Sequence, residues 1–369
     1  MDRKTAALYE ARAHEWIAQR RPQAVEDGRL VGFVRRLRGG GRVADLGCGP
    51  GWYAAELSAH GYAVVALDVA TAMLAHVGRH APNAARVRGD LAALPFADRS
   101  LDGAWGVNCY VHVPGADLPL ALARLHAALR PGAPVALSFA NLARMQPTAA
   151  DLRRGDAERR SSKGELVGRL LTGVTLERVR GLLEGAGFDG VSVEPLADSF
   201  WLWVGARRAR TLPDLVRPRL RLLICGLNPS LYSADAGIPF ARRGNRFWAA
   251  ARTAGLVVKE RDPLDALHRG IGMTDLVKRA TAAAGELRRE EYVAGLRRVE
   301  GLVRRFHPRA VCFVGLEGWR AAVDRGAQPG WIAGGLGGRP AYLMPSTSGR
   351  NARVSLAELA AHLRSAAER

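Results

Sequence analysis

The chain has 369 residues, a hydrophobic content of 48%, a charged content of 24% and a formal net charge of +19 at pH 7. This length exceeds what one hydrophobic core usually serves, which favours two domains. Every apolar run is shorter than the roughly 18 residues that a membrane helix needs, which argues against a membrane protein. The N-terminal stretch is charged and lacks an apolar segment, so we expect no secretory signal and a cytoplasmic protein.

The four cysteines lie far apart in the sequence, at Cys48, Cys109, Cys225 and Cys312. Without a CxxC pair, we expect neither a zinc site nor an iron–sulfur cluster, and no other metal. The positive charge favours a phosphate-bearing partner. Nearly all basic residues are arginine in a chain rich in alanine and glycine, so genome composition explains part of this charge. The charge therefore permits a nucleic-acid partner without demonstrating one.

The first half of the chain has the pattern of a parallel sheet. Residues 41–140 alternate short apolar runs with helical patterns, which is typical of βαβ units. The predicted strands are RVADLGCG, YAVVALDV, ARVRGD, LDGAWGVN and APVALSFAN, with helices between them. The polar stretch 151–166 predicts an irregular lid or cap. A helix over 177–188 and two strands, at 191–196 and 200–208, then complete a domain over residues 1–208.

A second α/β unit follows a predicted linker at residues 209–217, which carries proline and no apolar periodicity. The unit is predicted over residues 218–369. Its expected strands are RLRLLICG, AVCFVG and AYLMPS, and its expected helices are NRFWAAARTAGL, VEGLVRRF and SLAELAAHLRSAAE.

A glycine-rich turn, DLGCGPG, follows the first predicted strand. Glycines there permit positive φ and let backbone N–H groups approach a ligand at a helix N-terminus. Asp68 ends the second strand about 20 residues later, where an acid meets ribose hydroxyls. Asp90 ends the third strand, where an acid can face an adenine amine. A plain tight turn remains an alternative, and a dehydrogenase would carry GxGxxG rather than DxGxGxG; the three acids favour a nucleotide site.

Residues 10–208 resemble the class I methyltransferases that use S-adenosylmethionine. The resemblance implies a Rossmann-like fold. It also implies contacts to the methionine moiety, the ribose, the adenine and the methyl-donor side, from Asp45, Gly47, Gly49, Gly51, Asp68, Asp90, Leu91 and Asn108. The NPPY motif of amino-methylating enzymes is absent, so the methyl acceptor stays open. His112 is either a base for that acceptor or a satisfied polar residue at the start of a helix.

Three polar motifs follow strand ends in the second unit: GLNPS (226–230), GIPFA with GNRFW (237–248), and MPSTSGR (344–350). Loops at the carboxyl ends of strands in an open sheet meet in one crevice. Cleavage of an N-glycosidic bond needs a positioned water, a stabilised base anion and a base out of the stack. The Asn228 amide oxygen can hold water, Phe240 can stack on a base, and residues 348–350 can fill the vacated duplex.

Each of these motifs also has a plainer interpretation, as an Asx-Pro turn, core aromatics or a surface loop. Their combination resembles the mismatch-specific uracil/thymine-DNA glycosylases over residues 218–369. The resemblance implies a uracil-DNA-glycosylase-like α/β/α fold without metal or cofactor, acting on double-stranded DNA with mispaired or deaminated bases. It implies Asn228 as the water-positioning residue, Leu227 and Phe240 at the base, and Asn245, Ser346, Ser348, Gly349 and Arg350 at the DNA.

Some positions depart from the glycosylase pattern. The aspartate of a GxDPY motif and the histidine of the final loop, found in faster uracil-DNA glycosylases, are absent, so we expect slow chemistry. Leu316 stands where lysine is common. Asp275 stands where asparagine or lysine is common, and an ionised carboxylate only accepts hydrogen bonds. Asp275 should then favour bases that present an N–H, such as uracil and hypoxanthine, unless it only caps a helix.

Three hypotheses follow. The chain is a bifunctional enzyme, or a nucleic-acid methyltransferase with a glycosylase-like delivery module, or a glycosylase with a degenerate cofactor domain as scaffold. Intact Asn228, Phe240 and Arg350 favour the first over the second, and intact Asp45, Asp68 and Asp90 argue against the third.

Overall fold

The chain forms two compact units, Met1–Ala209 and Arg210–Arg369. The computed structural model describes residues 1–20, 28–164, 166–197 and 199–368. Among these residues, no helix has both the length and the apolar character that a membrane crossing requires.

The first unit is built on a sheet of nine strands. These are β1 (Arg42–Leu46), β2 (Ala63–Asp68), β3 (Ala85–Arg88), β4 (Gly103–Gly106), β5 (Pro134–Asn141), β6 (Asp156–Arg160), β7 (Leu170–Val174), β8 (Phe188–Pro195) and β9 (Trp201–Arg208). The described helices of this unit are α1 (Arg3–Ala18), α2 (Arg29–Val34), α3 (Trp52–Ala59), α4 (Thr71–His80), α5 (Leu118–Ala128), α6 (Ala149–Arg154) and α7 (Leu176–Gly185).

The sheet combines a parallel part, which includes the edge strand β3, with antiparallel strands beyond β5. Strands β3, β2, β1, β4 and β5 lie side by side and parallel, and β9 and β8 continue the sheet as antiparallel strands. All eight residues of β5 are buried, as expected for a strand that is covered on both faces. The predicted Rossmann-like fold of the first unit is confirmed.

The predicted irregular lid is wrong for most of its length. Residues 149–160 form α6 and β6, and β6 pairs antiparallel with β7, which extends the end of β5. Thr148 and Asp151 form a capping box that begins α6. The charged run DAERR forms a strand at the sheet edge, where Glu158 and Arg160 remain in water although Asp156 is buried.

The second unit is a five-stranded sheet with helices. Its strands are β10 (Leu222–Gly226), β11 (Ile271–Asp275), β12 (Ala310–Val314), β13 (Gly330–Leu336) and β14 (Arg339–Met344). Its described helices are α8 (Leu231–Ala236), α9 (Phe247–Thr253), α10 (Pro263–His268), α11 (Arg289–Phe306), α12 (Glu317–Ala322) and α13 (Leu356–Ala367).

The order in this sheet is β11-β10-β12-β14-β13, with only β13 antiparallel to its neighbour. The strands β10, β11, β12 and β14 therefore end at the same edge. Helices α9 and α13 pack on one face, where Phe247, Trp248 and Leu359 are buried. This topology brings the loops after the strand ends together, as the motif positions predicted.

The segment 209–217 has a different character from an exposed linker. From Arg210 onward it belongs to the second unit, and Thr211, Leu212, Asp214, Leu215 and Val216 are buried. Leu215 exchanges backbone hydrogen bonds with Met273 of β11, at 2.8 and 3.0 Å. Such an irregular segment shows no apolar periodicity, although its side chains enter the core.

Candidate functional sites

A cavity of about 530 Å³ lies at the carboxyl ends of β1, β2 and β4. Five of the residues expected at a cofactor line it: Gly47, Gly49, Asp68, Leu91 and Asn108. Asp45, Gly51 and Asp90 are not among its lining residues.

The glycine turn requires its glycines. Gly47, Gly49 and Gly51 have φ angles of 61°, 53° and 89°, a region that other residues rarely adopt. A Cβ on Gly47 would also overlap Cys109. Gly51 is the N-cap of α3, so the turn leads the chain directly from β1 into a helix whose N-terminal amides face the same edge.

The three acids have distinct surroundings. Asp68 accepts hydrogen bonds from the backbone N–H groups of Gly49 and Ala70, at 3.0 and 2.9 Å, and burial raises its pKa. Burial raises the pKa of Asp45 to about 8, and its Oδ2 has no hydrogen-bond partner in the described chain. The Asp90 carboxylate accepts from the amino group of Met1, at 2.7 and 2.8 Å.

Asn108 and His112 also line this cavity. Asn108 has a φ of 59°, and Ser138 Oγ donates to its Oδ1 over 3.1 Å. His112 is buried, with Nδ1 2.6 Å from the Leu170 carbonyl and Nε2 2.9 Å from the Tyr9 hydroxyl. Burial lowers the pKa of His112 to about 4, so the ring is neutral near pH 7.

The second unit has a cavity of about 740 Å³ at the edge where its parallel strands end. It brings together all the expected glycosylase residues except Gly349: Leu227, Asn228, Phe240, Asn245, Asp275, Ser346, Ser348 and Arg350. Gly349 lies beside it, in a smaller surface pocket with Arg242, Arg243 and Arg350.

The hydrogen bonds of Asn228 fix which way its amide points. Its Nδ2 donates to the carbonyl oxygens of Arg279 and Pro229, at 2.9 and 3.2 Å, and to Thr281 Oγ1 at 2.8 Å. Carbonyl oxygens only accept, so these positions must face the NH2 group rather than the amide oxygen. The amide oxygen has no partner in the described chain and is left for the cavity.

Phe240 offers one face to the cavity and uses the other in the core. Its ring stacks on the buried Phe247, with centroids 4.1 Å apart and planes at 22°. Its backbone has a φ of 56°, an uncommon conformation that tends to occur where function demands it. Neither Phe240 nor Leu227 has a hydrogen-bonded backbone N–H within the described residues.

Gly226 lets two cavity groups approach the end of β10. A Cβ there would overlap Asp275 Oδ1 and lie 3.3 Å from the Phe240 ring. Asp275 ends β11, and its side chain makes no hydrogen bond within the described part of the chain. Burial raises its pKa to about 6, the nearby Lys278 charge lowers it, and the Asp214 charge raises it.

A buried cluster of charged side chains contacts the end of β11. Asp214 is 2.6 Å from Arg298 and 3.0 Å from Lys278, and it accepts a hydrogen bond from Thr274 at 2.6 Å. Arg298 also donates to the backbone carbonyl of Asp275. Because Arg298 bonds the main chain of Asp275, it fixes the strand end without neutralising the carboxylate.

Arg246 anchors the loop after β14. Its guanidinium donates to the carbonyl oxygens of Asn351 and Val354, and its backbone N–H donates to the Thr347 carbonyl at 2.9 Å. Asn245 Oδ1 accepts from the Phe247 N–H at 2.9 Å, so this side chain caps α9 as well as lining the cavity.

Sequence reasoning missed several residues of the second site. Arg246 and Thr281 orient other groups, while Arg242, Arg353 and Glu317 line the cavity and are exposed. The position of Arg242 beside the motif GNRFW was a usable signal that it belongs to this cavity. No local pattern reveals Thr281, which meets Asn228 across 53 residues.

Each of the two units contains a segment that matches a known protein family. Residues 43–132 match the family model of a methyltransferase domain, and residues 213–366 match that of the uracil DNA glycosylase superfamily. Similar solved structures include SAM-dependent methyltransferases from Methanosarcina mazei and Mesorhizobium loti, and DhpI in complex with SAH. Their identities are 19%, 24% and 22%, and their TM-scores are 0.41, 0.41 and 0.44. The matches cover 47%, 50% and 56% of this chain, and 95%, 98% and 96% of the other chains.

The folds and the family matches define a fusion of two α/β enzyme-type domains. The chain carries a methyltransferase domain in its first unit and a uracil DNA glycosylase superfamily domain in its second. In the described residues, no group of three or more histidine, cysteine or acidic side chains is arranged to hold a metal ion.

Proposed function

We propose that the chain is a bifunctional enzyme of DNA repair and methyl transfer. The second domain hydrolyses the N-glycosidic bond of uracil- or thymine-type bases that are mispaired or deaminated in double-stranded DNA. The first domain transfers a methyl group from S-adenosylmethionine to a separate acceptor.

The fixed orientation of Asn228 carries the glycosylase proposal. Three acceptors hold the Nδ2 side of its amide, so the Oδ1 side faces the cavity and can accept a hydrogen bond from a water. A water held in this way is oriented for attack on the sugar carbon of a flipped nucleotide. A domain that only binds DNA has no need for such an amide.

Phe240 and the strand-end amides serve the departing base. A base that enters the cavity can stack on the open face of Phe240, because Phe247 supports the other face. Such stacking contributes about 1–3 kcal/mol per base. The unpaired N–H groups of Leu227 and Phe240 can bind the base oxygens, which become anionic as the bond breaks.

Asp275 then sets the choice of base. Its carboxylate lies in the cavity beside Phe240 and Gly226. When ionised it accepts a hydrogen bond from N3–H of uracil or N1–H of hypoxanthine, and cytosine-type bases lack that donor. The wedge consists of Ser348, Gly349 and Arg350, on a loop that Arg246 holds in place.

The first cavity fits S-adenosylmethionine in the shape of its backbone and in the acid that borders it. The positive φ angles of Gly47 and Gly49 bring the backbone close to the ligand, and Asp68 borders the cavity where a ribose would lie. The bound cofactor supplies an electrophilic methyl group; Asp68, Leu91 and Asn108 would hold it, with Asp90 near its adenine.

Single-turnover excision from a duplex with one G·U pair tests the glycosylase. The wild type should leave an alkali-labile abasic site, and Asn228→Ala should slow excision by roughly 100-fold or more, since a lost positioning group costs rates of this order. Thr281→Val provides a milder comparison, because it removes one of the three acceptors that hold the amide. If wild type excises none of G·U, G·T and hypoxanthine pairs, the second domain is a delivery module and the proposal fails.

A further inference from the structure

A second, smaller chamber adjoins the cofactor cavity of the first unit. Its volume is about 250 Å³, and Tyr9, Trp16, Arg20, Asn108 and His112 line both spaces. It is smaller than the roughly 300 Å³ at which drug-sized pockets begin, so it suits a ligand of one or two rings. Asn108, expected at the methyl-donor side, and His112, a candidate base for the acceptor, thus border both spaces.

The lining of this chamber is aromatic and cationic. Tyr9, Trp16, Phe200 and Trp201 contribute rings, and Arg20 and Arg169 contribute guanidinium groups. No acidic side chain is among its described lining residues. The Arg169 Nε is buried and has no hydrogen-bond partner in the described chain. Flat apolar walls with two cations and an unmet donor suit a planar anion.

Tyr9 adds a constraint on the chemical groups of the ligand. The Leu170 carbonyl only accepts, so the proton of the neutral His112 ring lies on Nδ1, and Nε2 accepts the Tyr9 hydroxyl proton. The Tyr9 oxygen therefore acts only as an acceptor toward the chamber. Arg169 donates to it over a long 3.4 Å contact, and one lone pair remains for a ligand O–H or N–H.

We propose that this chamber binds the methyl acceptor and that the acceptor is a small aromatic acid with a hydroxyl or amino group. This inference rests on the proposed methyl transfer. The acid group pairs with Arg169, the ring lies among the aromatic side chains, and the hydroxyl or amino group donates to Tyr9. In the transfer, the acceptor heteroatom bonds to the methyl carbon, and the carbon–sulfur bond breaks with its electron pair left on sulfur. The acceptor proton passes to Tyr9 as the Tyr9 proton passes to His112.

Isothermal titration of the full chain tests the proposal. The first titrant is S-adenosylhomocysteine, and 4-hydroxybenzoate, 2-hydroxybenzoate and 4-aminobenzoate follow on the saturated protein. At least one acid should bind, and its neutral alcohol analogue should bind roughly 10- to 100-fold more weakly, as expected for the loss of a charge-assisted hydrogen bond. The methyl ether or dimethylamino analogue, which has no donor for Tyr9, should also bind more weakly.

Arg169→Met provides the matched variant. It should reduce the affinity for the acid by a similar factor, leave the affinity for the neutral analogue unchanged, and retain S-adenosylhomocysteine binding, which shows that the domain is folded. Arg207→Met is the control, because Arg207 is an exposed arginine of β9 that faces Asp189 rather than the chamber.

The outcomes distinguish a failure of the proposed methyl transfer from a failure of the proposed acceptor class. If S-adenosylhomocysteine does not bind, the proposed methyl transfer itself fails. If it binds and none of the acids does, or if binding is indifferent to Arg169, the acceptor inference is overturned. Arg169-dependent binding of a short single-stranded oligonucleotide in place of the acids would overturn it in favour of a nucleic-acid acceptor.

Discussion

At the scale of single residues, each of the two candidate sites contains a polar group with one hydrogen-bonding position unfilled. Asn228 has its amide nitrogen bonded and its oxygen free, and Asp45 has a buried oxygen without a partner. Unsatisfied buried polar atoms destabilise a fold, typically by about 1–3 kcal/mol each. Asn228 lines the second cavity, so a ligand or water there can complete its oxygen, whereas Asp45 lies outside the lining of the first cavity.

Asp275 leads to a prediction about pH and stability. Its pKa rises from 3.8 to about 6 in the folded state, so the folded protein holds this proton more tightly than the unfolded chain. The stability contributed by the protonated carboxyl is complete below about pH 4 and is lost as the pH rises through about 6. The free energy of unfolding of Asp275→Asn, relative to that of wild type, should therefore increase by about 3 kcal/mol between these two pH values. Urea unfolding of the second unit at both ends of this range measures the gain.

The same substitution separates stability from function. Uracil excision by wild type should rise as Asp275 ionises near pH 6, whereas the variant should lack this step and lose its preference for bases with an N–H. Identical base preference in the two proteins, together with a parallel stability curve, would refute both the ionisation and the base-reading role.

At the scale of elements, strands that form an apolar run before a glycine or polar turn were predictable, whereas β6, β7, β11 and β13 were missed. Strands β1, β2, β5, β10 and β12 are apolar runs that end in glycine or polar turns, so their sequences identify them. In contrast, β6 is charged and β13 contains three glycines. Pairing with a neighbouring strand, rather than local preference, holds these segments in place.

Site residues that stand in a motif were predictable, and those that act through distant partners were not. Asn228 stands in a recognisable motif directly after β10, Phe240 stands in a motif after α8, and both line one cavity. Arg246, Thr281 and Tyr9 act through partners that are distant in sequence, and no spacing rule predicts such contacts. The acids Asp45 and Asp68 were found from their positions at strand ends, although only the structure shows which of them borders the cavity.

The segment before β10 leads to a prediction about domain boundaries. A fragment beginning at Arg210 keeps Asp214, which pairs with Lys278 and Arg298. A fragment beginning at residue 218 leaves both cations without their buried counter-charge, a loss that typically costs about 3–5 kcal/mol. We expect the longer fragment to fold and excise uracil, and the shorter one to unfold at a clearly lower temperature.

The comparison needs one further variant. Asp214→Asn in the longer fragment should cause most of the same loss of stability, because it removes the counter-charge while residues 210–217 stay in place. Equal melting temperatures for all three proteins would mean that residues 210–217 are a linker after all.

At the scale of the whole molecule, the net charge of +19 leads to a prediction about salt. Arg242 and Arg243 are exposed and line the surface pocket beside the wedge. Each phosphate contact contributes about −0.9 to the slope of log K against log salt. Arg242→Gln with Arg243→Gln should therefore reduce the slope for duplex binding by about 1.8, as measured by fluorescence anisotropy at several salt concentrations.

A charge-matched control distinguishes a local contact from the overall field. Arg269 and Arg304 are exposed and paired with Asp265 and Glu300, away from the cavity. Replacing both with glutamine removes the same net charge. An equal change in slope from the two double variants would show that the charge acts as a general attraction and that the pocket makes no direct phosphate contact.

The anchoring of the loop after β14 has a consequence for how its sequence can evolve. Arg246 holds the loop through the backbone oxygens of Thr347, Asn351 and Val354, together with its own N–H, and makes no bond to the side chain at position 350. Backbone oxygens are the same whatever residue carries them. The tip can therefore accept new side chains without losing its shape. Under the proposed function, this loop is where selection, natural or in the laboratory, can retune which damaged base pairs are opened.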